Sequence, residues 1–254
     1  MDRHEAILRE LNLYPLWKRR GQPAPIEAVV PNATSRLGGG EADTQQSAMG
    51  IATLNPSYVS SPSDGGQEIA NLDWPQLKEV VRDCTACKLR AGCTQTVFGV
   101  GDEKADWLFV GEGPGADEDA QGEPFVGQAG KLLDSMLAAI KLKRGKNVYI
   151  ANIVKCRPPN NRNPEADEIA QCLPYLQRQI ELIQPKLIVA LGKTAATALL
   201  GNEATLGSLR GTLHDYHGIP LIVTYHPAYL LRSPTEKAKA WQDLCFAQET
   251  MQKE

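Results

Sequence analysis

Four short apolar segments, separated by longer segments with helical periodicity, constrain the fold of this chain most strongly. The apolar segments are residues 106–110, 148–154, 186–191 and 221–224. Helical patterns cover residues 131–141, 164–183, 193–200 and 235–251. Strands that alternate with helices predict an α/β fold, here a three-layer α/β/α arrangement around a four-stranded parallel sheet.

The amino-terminal part of the chain is predicted to lie outside this domain. Residues 1–20 contain a short amphipathic helix followed by an apolar and basic tag at residues 16–20. The tag either docks a protein partner or DNA, or is a tail or folds back onto its own domain; we favour the second interpretation. Residues 21–70 are rich in Pro, Gly, Ser, Thr and Ala and predict a disordered linker. The ordered domain is expected over residues 73–254.

Net charge and hydropathy exclude some classes of protein. The formal charge of −3 does not favour a nucleic-acid binder, so DNA binding would need a local basic patch. One such segment, residues 135–164, has no acidic residue, although a solvated loop would look the same. No apolar run is long enough to span a membrane, and no secretory signal is visible, so a cytoplasmic, nucleoid-associated location is expected. The protein is also expected to be a monomer. The basic residues of the segment are Lys141, Lys143, Arg144, Lys146, Lys155, Arg157 and Arg162.

A glycine-rich loop follows the first predicted strand. Residues 111–115 contain three glycines, whose backbone a ligand can approach closely, and they enclose the carboxylate of Glu112. Phe125 lies at the far end of the loop, and no helix is expected before Gln128. Open α/β sheets bind ligands at the carboxyl ends of their strands. A carboxylate, bare amides and an aromatic ring indicate a flat, polar, uncharged ligand such as a nucleobase.

The same loop also fits a different interpretation. Residues 111–116 match G-x-G-x-x-A after a strand, the fingerprint of dinucleotide-binding proteins. Pro114 and the acidic residues 117–119 argue against it, because a pyrophosphate needs a helix amino terminus free of negative charge. His226 follows the fourth predicted strand and is expected at the same edge of the sheet as Glu112.

The six cysteines favour a metal site over disulfides, because no secretory signal is visible. Cys84 and Cys87 form a C-x-x-C motif on a helix predicted over residues 76–90, and Cys156 and Cys172 follow far downstream. One tight pair with two scattered cysteines suits an iron–sulfur cluster at least as well as zinc. Unrelated core and surface cysteines remain an alternative. Cys93 and Cys245 are expected to be small buried apolar residues.

Four segments in order resemble the family 4 uracil-DNA glycosylases, which carry a 4Fe-4S cluster. The segments are residues 111–115, 124–127, 152–159 and 226–229, and the similarity extends from about residue 74 to the carboxyl terminus. The resemblance implies a sheet of four parallel strands and excision of uracil from single- or double-stranded DNA in base-excision repair. It implies that the cluster is held by Cys84, Cys87, Cys156 and Cys172.

The resemblance also implies a role for each candidate site residue. Glu112 and His226 are the expected catalytic residues. The base is expected to contact Gly113, Pro114, Gly115, Phe125 and Asn152. The DNA backbone is expected to contact Lys155, Arg157 and Arg232. Two other classes of protein remain alternatives: an oxidoreductase with a nucleotide cofactor, and a non-catalytic DNA-binding module stabilised by a metal site.

Overall fold

The computed structural model describes residues 69–253. Its strands are β1 (Val100–Gly101), β2 (Trp107–Gly111), β3 (Val148–Asn152), β4 (Leu187–Leu191), β5 (Leu213–Tyr216) and β6 (Ile219–Thr224). Its α-helices are α1 (Trp74–Arg82), α2 (Ala116–Gln121), α3 (Gln128–Ala139), α4 (Ala166–Ile183), α5 (Lys193–Leu200), α6 (Leu206–Leu209), α7 (Pro227–Arg232) and α8 (Lys237–Met251). Short 3₁₀ helices span Lys88–Gly92, Pro159–Asn161 and Pro234–Glu236. The predicted amino-terminal helix, tag and linker lie outside the described residues.

Within the described residues the strands form one six-stranded sheet in the order β1-β3-β2-β4-β6-β5. The four central strands are the predicted parallel ones, but β1 and β5 add antiparallel edges, so the prediction of four strands was wrong in number. β1 has only two residues, and β5 is mostly exposed, so neither has the apolar pattern of a core strand. The β5–β6 hairpin turns at His217 and Gly218, both with positive φ, as two-residue hairpin turns require.

Helices cover both faces of the sheet. Every residue of β2, β3 and β4 is buried, which is typical of parallel strands covered on both sides. Successive side chains point to opposite faces: Leu108 and Val110 pack with the apolar residues of α1, α4 and α5, and Phe109 packs with those of α3 and α8. The sheet therefore separates two apolar cores and holds its strands rigidly.

The central strands end level with each other. Gly111, the last residue of β2, pairs with Asn152, the last residue of β3, and Leu191 of β4 pairs with Thr224 of β6. The loops that follow these strands therefore leave the sheet at one edge. This alignment places the segment after each strand beside the others, as the parallel topology predicts.

Two helix predictions were wrong in their boundaries. Helix α1 ends at Arg82, so the C-x-x-C motif lies in the connection to the Lys88–Gly92 3₁₀ helix and not on an α-helix. Asp and Thr in this connection favour turns because their side chains compete for backbone hydrogen bonds. A helix, α2, begins at Ala116, well before the expected Gln128. Pro114 does not prevent it, because it precedes the N-cap residue and removes no helical hydrogen bond.

Candidate active site

Gly111 allows two side chains to meet at the end of β2. A Cβ atom at this position would lie 2.5 Å from Oδ1 of Asn152 and 2.5 Å from the ring of Phe125. No side chain is therefore compatible with both neighbours. The glycine sets the spacing between the amide on β3 and the aromatic ring on the following loop.

Glu118 holds the glycine-rich loop together. Its carboxylate accepts backbone hydrogen bonds from Gly115 at 3.0 Å, Val126 at 2.9 Å and Gly127 at 3.0 Å. Sequence reasoning treated Glu118 only as a negative charge that would repel phosphate, whereas the structure turns it inward. Glu118 is the third residue of α2 and makes the glutamate half of a capping box, while Gly115 at the N-cap has no side chain to make the other half, so the sequence signal was weak.

Phe125 has a backbone conformation that is rare for a bulky residue, with φ of +56°. Arg144 supports it by donating to the carbonyl oxygens of Pro124 at 2.8 Å and of Phe125 at 2.7 Å, and it also pairs with Asp134. The buried ring of Phe125 lies 5.4 Å from the imidazole of His226, centroid to centroid. Arg144 is therefore an internal support for the loop, and the sequence had indicated only its charge.

Asn152 presents a buried polar atom with no hydrogen-bond partner. Its side chain is 2% exposed, and its Oδ1 accepts no hydrogen bond from the residues the structure describes. A buried acceptor left unpaired costs about 1–3 kcal/mol, so such atoms are uncommon outside binding sites. The atom is available to a donor on a ligand.

His226 is held in one tautomer at the amino terminus of α7. Its Nδ1 accepts a hydrogen bond from the backbone N–H of Ala228 at 3.2 Å, so the proton of the neutral ring lies on Nε2. The pKa of His226 is lowered to about 4, chiefly by burial and also by the positive charge of Arg232, while the negative charge of Glu118 opposes the shift in part. The imidazole is therefore neutral near pH 7 and offers an N–H donor from Nε2.

Glu112 emerges from the end of β2 and receives a hydrogen bond from Thr194. The Thr194 hydroxyl, in the first turn of α5, donates to Oε2 of the carboxylate. Thr194, which the sequence did not single out, therefore contacts a predicted site residue. Its segment follows β4, the one central strand whose end carried no candidate residue.

One cavity of about 360 Å³ brings the predicted site residues together. Arg232 and Tyr229 also line it, and the loop after β3 closes the other side with Pro158, Asn161 and Arg162. The Arg162 guanidinium is engaged by buried Glu168, whose pKa it holds at about 2. The predicted catalytic and base-contacting residues on the cavity wall are Glu112, Gly113, Pro114, Gly115, Phe125, Asn152 and His226.

Two of the predicted DNA-backbone residues do not line this cavity. Lys155 is 1% exposed, and its ammonium group donates to the carbonyl oxygen of Asn152 at 3.0 Å and to Oε1 of Gln179 at 2.6 Å. The prediction that Lys155 grips phosphate was therefore wrong, because the side chain points into the core, where burial lowers its pKa to about 8. Arg157 is half-buried and donates to Oδ1 of Asn161 at 2.7 Å.

The four cysteines predicted to bind metal surround a second, apolar cavity. Cys84, Cys87, Cys156 and Cys172 all line it. Cys156 and Cys172 are buried, and Cys84 and Cys87 are partly buried. Cys93 is buried beside Arg90 and is not part of this wall.

The four thiols do not form a ready-made site for a single metal ion. In residues 69–253, no group of three or more His, Cys, Asp or Glu side chains converges where a metal ion could be held. A tetrahedral zinc needs four ligands within about 2.3 Å of one point. A 4Fe-4S cluster takes one thiolate on each of four irons, so its ligands surround a space instead of meeting at a point. The four cysteines surround one cavity and do not converge on a point, which is compatible with the second donor arrangement.

Comparisons with known proteins agree with this geometry. Residues 98–245 match the family model described as the uracil DNA glycosylase superfamily. The chain is 46% identical over 169 residues to a type-4 uracil-DNA glycosylase of Archaeoglobus fulgidus, covering 62% of this chain and 84% of the relative. It is 45% identical over 165 residues to the type-4 enzyme of Thermotoga maritima, covering 64% and 85%.

A third relative and a more distant one define the group further. A type-4 uracil-DNA glycosylase of Pyrobaculum aerophilum is 42% identical over 185 residues, covering 69% of this chain and 93% of the relative. A type-5 uracil-DNA glycosylase of Thermus thermophilus is 32% identical over 149 residues, covering 51% and 68%. Within residues 69–253, no helix is both long and apolar enough to cross a bilayer. The chain belongs to the type-4 uracil-DNA glycosylase family.

Proposed function

We propose that this chain removes uracil from DNA by hydrolysing the bond between the base and the sugar. The observation that carries the proposal is the single cavity that contains Glu112, Phe125, Asn152 and His226. The base must leave the helical stack to enter it, which costs a few kcal/mol and least where uracil is mispaired. The product is DNA with an abasic site, together with free uracil.

Asn152 is the proposed reader of the base. Its unpaired Oδ1 accepts from N3–H of uracil, and its Nδ2 donates to O4. Cytosine presents a lone pair at N3 and an amino group at C4, which is the reverse pattern, so an amide held in one orientation rejects it. Phe125 stacks on the pyrimidine and contributes about 1–3 kcal/mol. The loop of Gly113, Pro114 and Gly115 bounds the edge of the base.

Glu112 and His226 are the proposed catalytic residues. When the C1′–N1 bond breaks, its electron pair stays on the uracil and the sugar becomes positively charged at C1′. His226, a neutral Nε2–H donor, stabilises the negative charge that develops at O2 of the base. Glu112 stabilises the sugar cation and orients water. The water oxygen bonds to C1′, and the net reaction moves one water proton to the departing uracil.

Arg232 is the proposed contact to the DNA backbone at the rim of the cavity, with Arg157 nearby in the segment after β3. Both offer guanidinium groups, which suit phosphate oxygens. The charge of residues 135–164 is less available than the sequence indicated, because Lys155 and Arg162 are engaged internally. Backbone binding therefore depends on a small number of exposed cations.

Arg232→Ala is expected to weaken DNA binding at every sequence and to reduce the salt slope of binding by about one. Lys155→Met is the matched comparison, since it also removes one positive charge. It should leave the salt slope unchanged and lower the free energy of unfolding by about 1–3 kcal/mol, because Asn152 and Gln179 lose their buried donor. Titration of fluorescent DNA at several salt concentrations measures both. A reduced slope in Lys155→Met alone would contradict this assignment.

A 4Fe-4S cluster is proposed at the cysteine cavity, held by Cys84, Cys87, Cys156 and Cys172. Bound there, a cluster would tie the connection after α1 to the end of β3 and to α4. The β3 end carries Asn152, so this link stabilises the wall of the active site. The position of the proposed cluster therefore favours a structural role for it.

Cys156→Ser is expected to remove the brown visible absorbance and the bound iron, because one iron loses its thiolate. Cys93→Ser is the comparison, since the Cys93 thiol is buried within hydrogen-bond reach of Cys156 but does not line the cavity. Absorbance spectra and iron analysis of both purified variants give the answer. Colour retained in Cys156→Ser, or lost in Cys93→Ser, would disprove this ligand set.

The experiment that tests the proposed function is release of uracil from oligonucleotides, single- and double-stranded, that contain one deoxyuridine. Free uracil and alkali-labile strands are expected together. An oxidoreductase would bind NAD or a flavin and leave uracil-containing DNA intact, and a non-catalytic DNA-binding module would retain the oligonucleotide without releasing base. Either result would refute the proposal.

A further inference from the structure

The turn after β4 contacts both of the groups that carry the proposed chemistry. Gly192 has φ of +92°, and a Cβ atom there would lie 3.0 Å from Cβ of His226. Its N–H donates to the carbonyl oxygen of Thr224, at the end of β6, at 2.8 Å. The turn is therefore packed against the segment that carries the imidazole and is hydrogen-bonded to the end of β6.

Two residues further on, the same turn reaches the carboxylate. Thr194 is half-buried in the first turn of α5, and its hydroxyl donates to Oε2 of Glu112. A carboxylate accepts and does not donate, so the direction of this hydrogen bond is settled while Glu112 is ionised. Among the described residues 69–253, Thr194 is the residue whose side chain donates a hydrogen bond to the Glu112 carboxylate.

The position of Glu112 makes such a support necessary. Its backbone lies in a loop between glycines at positions 111 and 113, and its side chain has three rotatable bonds that end at an open cavity. A carboxylate that is displaced by about 1 Å from the reacting carbon loses much of its effect. A hydrogen bond from a helix, which the sheet holds rigidly, selects one rotamer and leaves Oε1 for water and the sugar.

We propose that Thr194 is a positioning residue for this reaction, acting through Glu112. The turn of residues 192–194 then supports both proposed catalytic residues, since it packs against His226 and donates a hydrogen bond to Glu112. The inference rests on the proposed role of Glu112 in uracil release. It assigns the end of β4, which the sequence left without a function, to the active site.

Thr194→Val keeps the shape of the side chain and removes the donor. The single-turnover rate of uracil release should fall by about 10- to 100-fold, the effect of losing a hydrogen bond to a charged group. Binding to DNA that contains 2′-fluorinated deoxyuridine, whose base–sugar bond resists cleavage, should not change. Thr194→Ser restores the hydroxyl and should recover most of the rate. If valine at this position prevents folding, Thr194→Ala against Thr194→Ser makes the same comparison.

A double-variant cycle separates positioning from a merely structural effect. In the Glu112→Gln background, Thr194→Val should have little further effect on the rate, because the group through which it acts is gone. Equal losses in both backgrounds, or a wild-type rate in Thr194→Val, would overturn the inference and leave the proposed function intact. A wild-type rate in Glu112→Gln alone would instead refute the proposed role of Glu112.

Discussion

Replacing His226 with alanine is expected to lower the rate of uracil release by about 100- to 1,000-fold, the usual effect of losing one donor to a developing anion. The affinity for uracil-containing DNA should change little, because the donor matters most when the base carries negative charge. Single-turnover kinetics and equilibrium binding to DNA with 2′-fluorinated deoxyuridine measure the two effects separately. The rate is expected to fall because the hydrogen bond from Ala228 to Nδ1 keeps the ring proton on Nε2, and the variant loses this donor.

His217→Asn is the matched control for this variant. His217 is exposed on the β5–β6 turn, does not line the active-site cavity, and has a positive φ that asparagine tolerates. Its substitution should leave the rate unchanged. A His226→Ala enzyme that binds weakly but turns over at the wild-type rate would show that the imidazole serves binding and not bond cleavage.

The neutral state of His226 predicts the pH dependence. Its pKa is lowered to about 4, chiefly by burial, so the ring stays neutral and the rate should not titrate with it between about pH 6 and 8. An unfolded chain protonates this ring below about pH 6.5, whereas the folded protein resists until about pH 4. The contribution of His226 to the free energy of unfolding is therefore complete above about pH 6.5 and declines as the pH falls towards 4. Denaturant unfolding at pH 7 and pH 5 should show a smaller difference in His226→Gln than in the wild type.

Asn152→Asp is expected to lower uracil release by about 1,000-fold or more. Aspartate keeps the size of the side chain but replaces the donor to O4 with a second acceptor in a buried site, where unpaired polar groups are costly. The preference for uracil over cytosine should also narrow, because a carboxylate accepts from the amino group of cytosine. Rates on matched oligonucleotides with uracil or cytosine at one position measure both effects.

Asn160→Asp is the control for the asparagine variant. Asn160 lies in the exposed Pro159–Asn161 3₁₀ helix, does not line the cavity, and has a positive φ that aspartate also adopts. It adds the same negative charge on the same side of the sheet. Normal kinetics in Asn152→Asp, or an equal loss in Asn160→Asp, would contradict the assignment of Asn152 to the base.

The central strands were predictable because each is a short apolar run covered on both faces, and burial on both faces leaves a clear pattern. The edge strands were not, since β1 is too short and β5 too exposed to show one. Helix α2 was missed because Pro114 was read as an interruption, although it precedes the N-cap. For α2 the local signal was present but was weaker than the apparent break at Pro114.

The candidate site likewise contains residues that the sequence indicated and residues that it did not. Glu112, Phe125, Asn152 and His226 were expected at one site because each lies in a short, distinctive motif, and the structure places all four on the wall of one cavity. Thr194 and Glu118 were missed because a threonine and a glutamate near a helix start have common structural roles, and only their partners distinguish them. Lys155 was misassigned because a charge in a basic segment indicates exposure, whereas its side chain enters the core to meet Gln179.

The fold class, the order of the central strands along the chain and the chemical groups that follow each strand could be predicted from the sequence, because they depend on local periodicity and on residue type. Which of these groups meet depends on the folded domain. The pairing of Gly111 with Asn152 aligns two strand ends, and the turn at Gly192 brings Thr194 to Glu112. Contacts between residues distant in the chain depend on register, backbone conformation and side-chain direction, and these are set by packing across the whole domain.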